Sequence, residues 1–148
     1  MNPLPNRPRR AFAGFTLMEL LAALAVVGVL AGIAIPTYTQ QIQKTRRSDA
    51  KNALLDLAAR EERYYATNNV YTATASALGY GTAFPVAVST WGVTSYSLSV
   101  TVAASPPTFT ALASRTGAQT SDACGDFQLT DQGTQSNLNT TNAPPTCW

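Results

Sequence analysis

Hydrophobic positions follow three different patterns along the chain. From Phe15 to Ile35 they form an almost unbroken run, FTLMELLAALAVVGVLAGIAI, in which Glu19 is the only charge. A bilayer hydrocarbon core of ~30 Å needs about 20 helical residues, so this run predicts a helix of membrane length. Beyond Pro36 the pattern becomes amphipathic. Ala50, Leu54, Leu57, Ala58 and then Tyr64 or Tyr65 recur at helical spacing, while Lys51, Asp56, Arg60 and Arg63 take other faces. One helix is therefore expected from Phe15 to about Tyr65, roughly 77 Å at about 1.5 Å per residue. Pro36 falls inside it, where it removes a hydrogen bond and is expected to kink the helix.

After Ala66 the period shifts to two. Tyr96, Leu98, Val100 and Val102 alternate with Ser95, Ser97, Ser99 and Thr101, which predicts a half-buried strand ended by Pro106-Pro107. Thr108 to Ser114 predicts a second strand. Phe127 and Leu129 begin a third, turned at Asp131-Gln132-Gly133, and Gln135 to Leu138 gives a weak fourth. Residues 66–90, with Asn68-Asn69 and Gly79-Tyr80-Gly81, read as the connection between helix and sheet. The expected fold class is α+β: a long N-terminal α-helix packed on a small antiparallel β-sheet of three to four strands.

Composition acts mainly by exclusion. The chain has no histidine, which removes the commonest general base and metal ligand together. Serine and threonine are abundant without a partner base, so no catalytic constellation and no cofactor are expected. Asp122, Asp126 and Asp131 cluster without the Asp-x-Asp-x-Asp-Gly pattern of a calcium loop, so turn and cap roles are expected, and no metal. The net charge of +2 reflects Arg7, Arg9 and Arg10 in a stretch without acids. Lys44, Arg47 and Lys51 fall near one helix face, expected to be solvated or to meet lipid headgroups. After Arg63 the only basic residue is Arg115, which leaves room for weak DNA contact alone. Cys124 and Cys147 are the only cysteines, an even count that favours one disulfide, stabilising by about 3 kcal/mol in a chain-entropy model.

Glu19 is the residue that a plain membrane anchor leaves unexplained, because a carboxylate inside an apolar helix is costly. A secretory signal peptide fits no better, since the run is too long and no small-x-small site follows it. Residues 14–19 read Gly-Phe-Thr-Leu-Met-Glu, behind three arginines and ahead of the apolar run. This segment resembles the class III signal of type IV pilins. The resemblance implies cleavage by prepilin peptidase between Gly14 and Phe15, and N-methylation of the new amino terminus on Phe15. It also implies that Glu19, fifth after the cut, meets the α-amino group of Phe15 on a neighbouring subunit and sets axial register. Pro36 falls where many pilins carry a proline. At the other end, Asp-Ala-Cys-Gly before a strand, Asp-Gln-Gly in a turn and the closing Cys-Trp resemble PilE-like minor pilins of type IVa systems.

The expected organisation is a cleaved basic leader (1–14), a transmembrane and polymerisation helix (15–36), its amphipathic second half (37–66) and a disulfide-closed head (67–148). The expected function is that of a structural subunit, a minor pilin, in a fibre for adhesion, twitching motility or DNA uptake. Its expected partners are other pilin subunits, prepilin peptidase, the assembly platform and ATPase, and the inner membrane, which the precursor crosses once with its N-terminus in the cytoplasm. A pseudopilin of a type II secretion system and a DNA-receptor competence pilin are the alternatives. An enzyme is not expected.

Overall fold

The computed structural model describes residues 14–81, 83–142, 144, 147 and 148, so the arginine-bearing leader up to residue 13 lies outside the described residues. The chain divides into two compact units, one ending at Thr39 and the other running from Gln40 to Trp148. The helix α1 (Leu17–Asn68) supplies residues to both, beginning two residues later and ending three residues later than expected.

In the first unit Thr16 starts the helix. Its Oγ1 accepts the backbone N–H of Glu19 at 3.3 Å, and Thr16-Leu17-Met18-Glu19 has the Thr-x-x-Glu spacing of a capping box. The apolar side chains that follow find no cover among the described residues: Leu17 is 77% exposed and Ile33 66%. An 18-residue window of α1 has a mean hydropathy of 2.4, and none of it is buried. Pro36 stands inside α1, where it lacks the N–H that would bond the carbonyl of Gly32.

In the second unit α1 packs one stripe on a sheet. Ala50, Leu54 and Leu57 are fully buried, and Glu61 takes the next place on the same stripe. The sheet comprises β1 (Val86–Thr90), β2 (Val93–Ala104), β3 (Pro107–Arg115), β4 (Asp126–Thr130) and β5 (Gln135–Leu138). Each strand pairs antiparallel with the next, in the order β1-β2-β3-β4-β5. Register brings Leu98 opposite Ala113 and Ala113 opposite Phe127. These three, with Tyr96, Val100, Phe109, Ala111 and Leu129, form one core with the helical stripe.

The sheet thus has five strands rather than three to four. The additional one, β1, lies in the stretch expected to be connection, which is itself interrupted by a short 3-10 turn at Ala75–Leu78. Its apolar residues Val86 and Val88 are only half-buried, so the strand carries a weak hydrophobic signal.

Candidate functional site

The residues singled out by the sequence fall in two places. Gly14, Phe15, Glu19 and Pro36 belong to the first unit, and Cys124 and Cys147 to the second. Phe15 is 80% exposed. A Cβ at Gly14 would meet nothing within 4 Å, so the fold itself does not require glycine there. Glu19 lies in the first turn of the helix and shares a shallow depression with Phe15, Leu20 and Ala23. Among the described residues its carboxylate forms no ion pair. This end of the chain offers an uncovered apolar surface and one uncompensated carboxylate.

In the second unit the polar chemistry is turned inward. Arg47 donates from Nε to Asp122 Oδ2 at 2.7 Å and from Nη2 to Oδ1 at 2.5 Å. Asp122 also accepts from Gln119 Nε2, from the Tyr96 hydroxyl at 3.4 Å and from the Cys124 backbone N–H at 3.1 Å. Burial pushes the Asp122 carboxyl up, but the Arg47 guanidinium and the other donors outweigh it and hold the pKa below the ordinary carboxylate value. The Tyr96 phenol is pushed up by burial and by the neighbouring Asp122 charge.

This cluster corrects two expectations. Arg47 is not part of a solvated face: its side chain is 15% exposed and closes on a buried carboxylate 75 positions away. Lys51 turns in as well, its Nζ 5.6 Å from the Phe127 ring centre and 5.8 Å from that of Trp148. Burial, and then the charge of Arg47, lower its pKa. Of that basic trio only Lys44 remains exposed. Asp122 in turn is a buried ion-pair partner rather than only a turn residue.

Cys124 and Cys147 form the expected disulfide, with Cα atoms 5.4 Å apart at a sequence separation of 23. The bond sits among aromatic side chains. The Trp148 ring meets Phe127 edge-on at 5.6 Å, and its Nε1 donates to the Ser136 carbonyl at 2.9 Å. Gly125 is required by the backbone, because its φ is +73° and a Cβ would overlap the Leu138 carbonyl. Asp126 pairs with Arg115 and accepts from Asn139, so the three aspartates are dispersed rather than convergent. Among the described residues no group of three or more His, Cys, Asp or Glu side chains could hold a metal ion.

The sequence reading missed Glu61. It is fully buried; Oε2 accepts the Thr72 N–H at 3.0 Å, and Oε1 has no partner among the described residues. Burial raises its pKa against the Thr72 hydrogen bond, and Glu62 raises it further. Its place four residues after Leu57 was the available signal.

Two family models match the chain. The one described as prokaryotic N-terminal methylation motif covers residues 9–35, and the one described as type IV minor pilin ComP, DNA uptake sequence receptor, covers residues 36–128. The type IV major pilin protein PilA of Myxococcus xanthus (strain DK1622) is 33% identical over 67 residues, 45% of this chain and 30% of that protein. Fimbrial protein EcpC of Eikenella corrodens is 35% identical over 66 residues, 45% of this chain and 43% of that one. Type II secretion system core protein G of Pectobacterium carotovorum subsp. carotovorum is 31% identical over 65 residues, 44% and 42% of the two chains. The chain thus spans less than half the length of these curated relatives. A solved type IV pilin from Shewanella oneidensis is 30% identical with a TM-score of 0.49, covering 72% of this chain and 97% of that one.

Proposed function

The chain belongs to the type IV pilins, in the family described as type IV minor pilin ComP, DNA uptake sequence receptor, and on that premise we propose that it is a minor structural subunit of a type IV pilus. The observation that carries this reading is the first half of α1, long and apolar enough to cross a membrane, uncovered among the described residues and interrupted by one carboxylate. In the proposed sequence, prepilin peptidase cuts between Gly14 and Phe15 and Phe15 is N-methylated. The precursor waits in the inner membrane with its N-terminus in the cytoplasm and its second unit, residues 40–148, outside. An assembly platform and ATPase then transfer the helix from lipid to contact with other pilin subunits.

Glu19 sets the register of that transfer. Withdrawn from water, its carboxylate requires a counter-charge, and the α-amino group of Phe15 on a neighbouring subunit supplies one. Pro36 bends the helix where the apolar run ends. Mass spectrometry of fibres tests the processing: the first residue should be Phe15 carrying one added methyl group. Glu19→Ala should be processed and inserted normally yet be lost from fibres, and normal fibre yield from that variant would overturn the pairing.

The family description also favours a role in DNA uptake. The second unit holds seven basic and seven acidic residues. Arg47, Arg60 and Arg115 are already paired with carboxylates, and Lys51 lies against aromatic rings. Lys44, Arg46 and Arg63 remain for phosphate, so the logarithm of DNA affinity should fall with the logarithm of salt with a slope no steeper than about −3. Deletion scored separately for piliation, twitching, transformation and secretion separates the roles; lost secretion with pili intact would favour the pseudopilin.

A further inference from the structure

β2 outruns the strand beside it. β1 begins at Val86, opposite Leu98, whereas β2 continues to Ala104 and is paired on its other side with β3 as far as Pro107. The Thr116 N–H donates to the Ser95 carbonyl at 2.9 Å, and these two residues continue the β2–β3 register. Hydrogen-bonded pairs recur at every second residue of an antiparallel ladder, so Ser99, Thr101 and Ala103 turn their N–H and C=O groups to β3. Val100, Val102 and Ala104 turn theirs the other way, into the column that β1 leaves empty. Among the described residues these backbone groups meet no hydrogen-bond partner there.

The other margins of the sheet are blunted, and this one is not. β1 is five residues long, has a register break between Val88 and Ser89, and follows Pro85, which has no N–H to extend the ladder. β5 is four residues long, and Trp148 leans on it, its Nε1 donating to the Ser136 carbonyl at 2.9 Å. On the far side of the β2–β3 hairpin Pro107 again lacks the donor, and the Phe109 carbonyl accepts the Asp131 N–H at 3.1 Å. Short strands, bulges, prolines and charges are the devices by which sheets avoid pairing with other chains. The β2 overhang has none of them. The first proline after it is Pro106, and no Lys, Arg, Asp or Glu stands between Arg63 and Arg115. Val102 is 39% exposed on the face that carries Tyr96 and Leu98 into the core, and Thr101 and Ala103 are exposed on the opposite face.

We propose that the overhang of β2, from Val100 to Ala104, is a docking edge that takes an extended segment of a different protein as an additional strand in line with β1. Five residues span about 17 Å of strand, enough for a partner segment of about the same length. Backbone hydrogen bonds hold such a segment, and the side chains flanking the edge select it. The occupant is uncharged, because the edge offers no counter-charge. It sets an apolar side chain beside Val102 on one face and small or hydroxyl-bearing side chains beside Thr101 and Ala103 on the other. The proposal rests on the reading of the chain as a minor subunit, which meets other proteins of its fibre more often than its own copies.

Hydrogen exchange reads the edge directly. In the detergent-solubilised full chain the amides of Val100, Val102 and Ala104 should exchange faster than those of Thr101 and Ala103, and in sheared fibres the first three should slow by roughly tenfold. A photo-crosslinking phenylalanine analogue at position 103, irradiated in fibres and mapped by mass spectrometry, should join one uncharged segment of another protein. Val102→Pro removes an outward N–H without touching the β3 ladder, and Val102→Lys keeps every N–H but adds a charge that the partner cannot pair. Each should cut the crosslinked product by roughly tenfold, whereas Val102→Thr should retain it. Three results overturn the proposal and leave the subunit reading standing. They are unchanged exchange at the three amides in fibres, crosslinks confined to a second copy, lipid or added DNA, and a product indifferent to Val102→Lys with the Cys124–Cys147 disulfide formed. Absence of the wild-type chain from fibres overturns the subunit reading itself.

Discussion

Between Leu17 and Thr39, α1 buries none of its side chains within the chain; between Gln40 and Asn68 it closes Ala50, Leu54, Leu57 and Glu61 away from water. The two stretches also treat charge differently. The first has one carboxylate and no partner for it among the described residues, whereas the second has six cations, of which two are paired with carboxylates and one lies against two aromatic rings. One helix therefore answers two kinds of partner. Its first half is built for surfaces that other molecules supply, and its second half is satisfied by its own sheet.

Changes in the second unit should alter its stability and leave membrane insertion alone, which is the contrast to break. The largest effect is expected from Asp122→Ala, which leaves the Arg47 guanidinium buried and unpaired. A loss of about 3–5 kcal/mol is expected in denaturant unfolding of the detergent-solubilised chain. The ion pair has a definite pH signature. The folded pKa of Asp122 lies below the ordinary value of 3.8, so its contribution is present above that value and is lost as pH falls through the folded pKa. The acid limb of a stability profile should therefore flatten in Asp122→Asn.

Removing the disulfide by the double change Cys124→Ser and Cys147→Ser should cost about 3 kcal/mol, read in the same unfolding experiment. By loosening the chain end it should also redden the emission of Trp148, which follows Cys147 and packs on Phe127. The smallest effect has the opposite sign. Burial raises the Glu61 pKa, so its favourable state is the protonated one, present below the ordinary value of 4.5 and lost as pH rises through the folded pKa. Glu61→Gln should stabilise the unit at neutral pH and abolish that decline, and a destabilised variant at pH 7 would show that the carboxylate is needed as an anion.

The legible parts of the sequence were those with a strict local period. The alternation through Tyr96, Leu98 and Val100 placed β2, and the i, i+4, i+7 stripe of Ala50, Leu54 and Leu57 placed the core face of α1. The period failed where burial was shallow, as at β1, and where a charged residue occupied a core position, as at Glu61. Arg47 and Asp122 were legible only as separate residues, because nothing local links charges 75 positions apart. Gly14, Phe15 and Glu19 are the reverse case. Their six-residue signal is plain in the sequence, yet their own fold gives no reason for the glycine. The open margin of β2 carried no sequence signal, since it depends on where β1 begins.

The strand order has a kinetic consequence. Every strand pairs with its neighbour in sequence, so each step of sheet formation closes a short loop at small entropic cost, and topology of this kind permits fast folding. The Arg47–Asp122 bond is different, because it can form only once the chain through β3 has been laid down and brought back to the helix. Local hairpins can thus precede helix docking, and the appearance of that one ion pair marks the moment at which the two are joined.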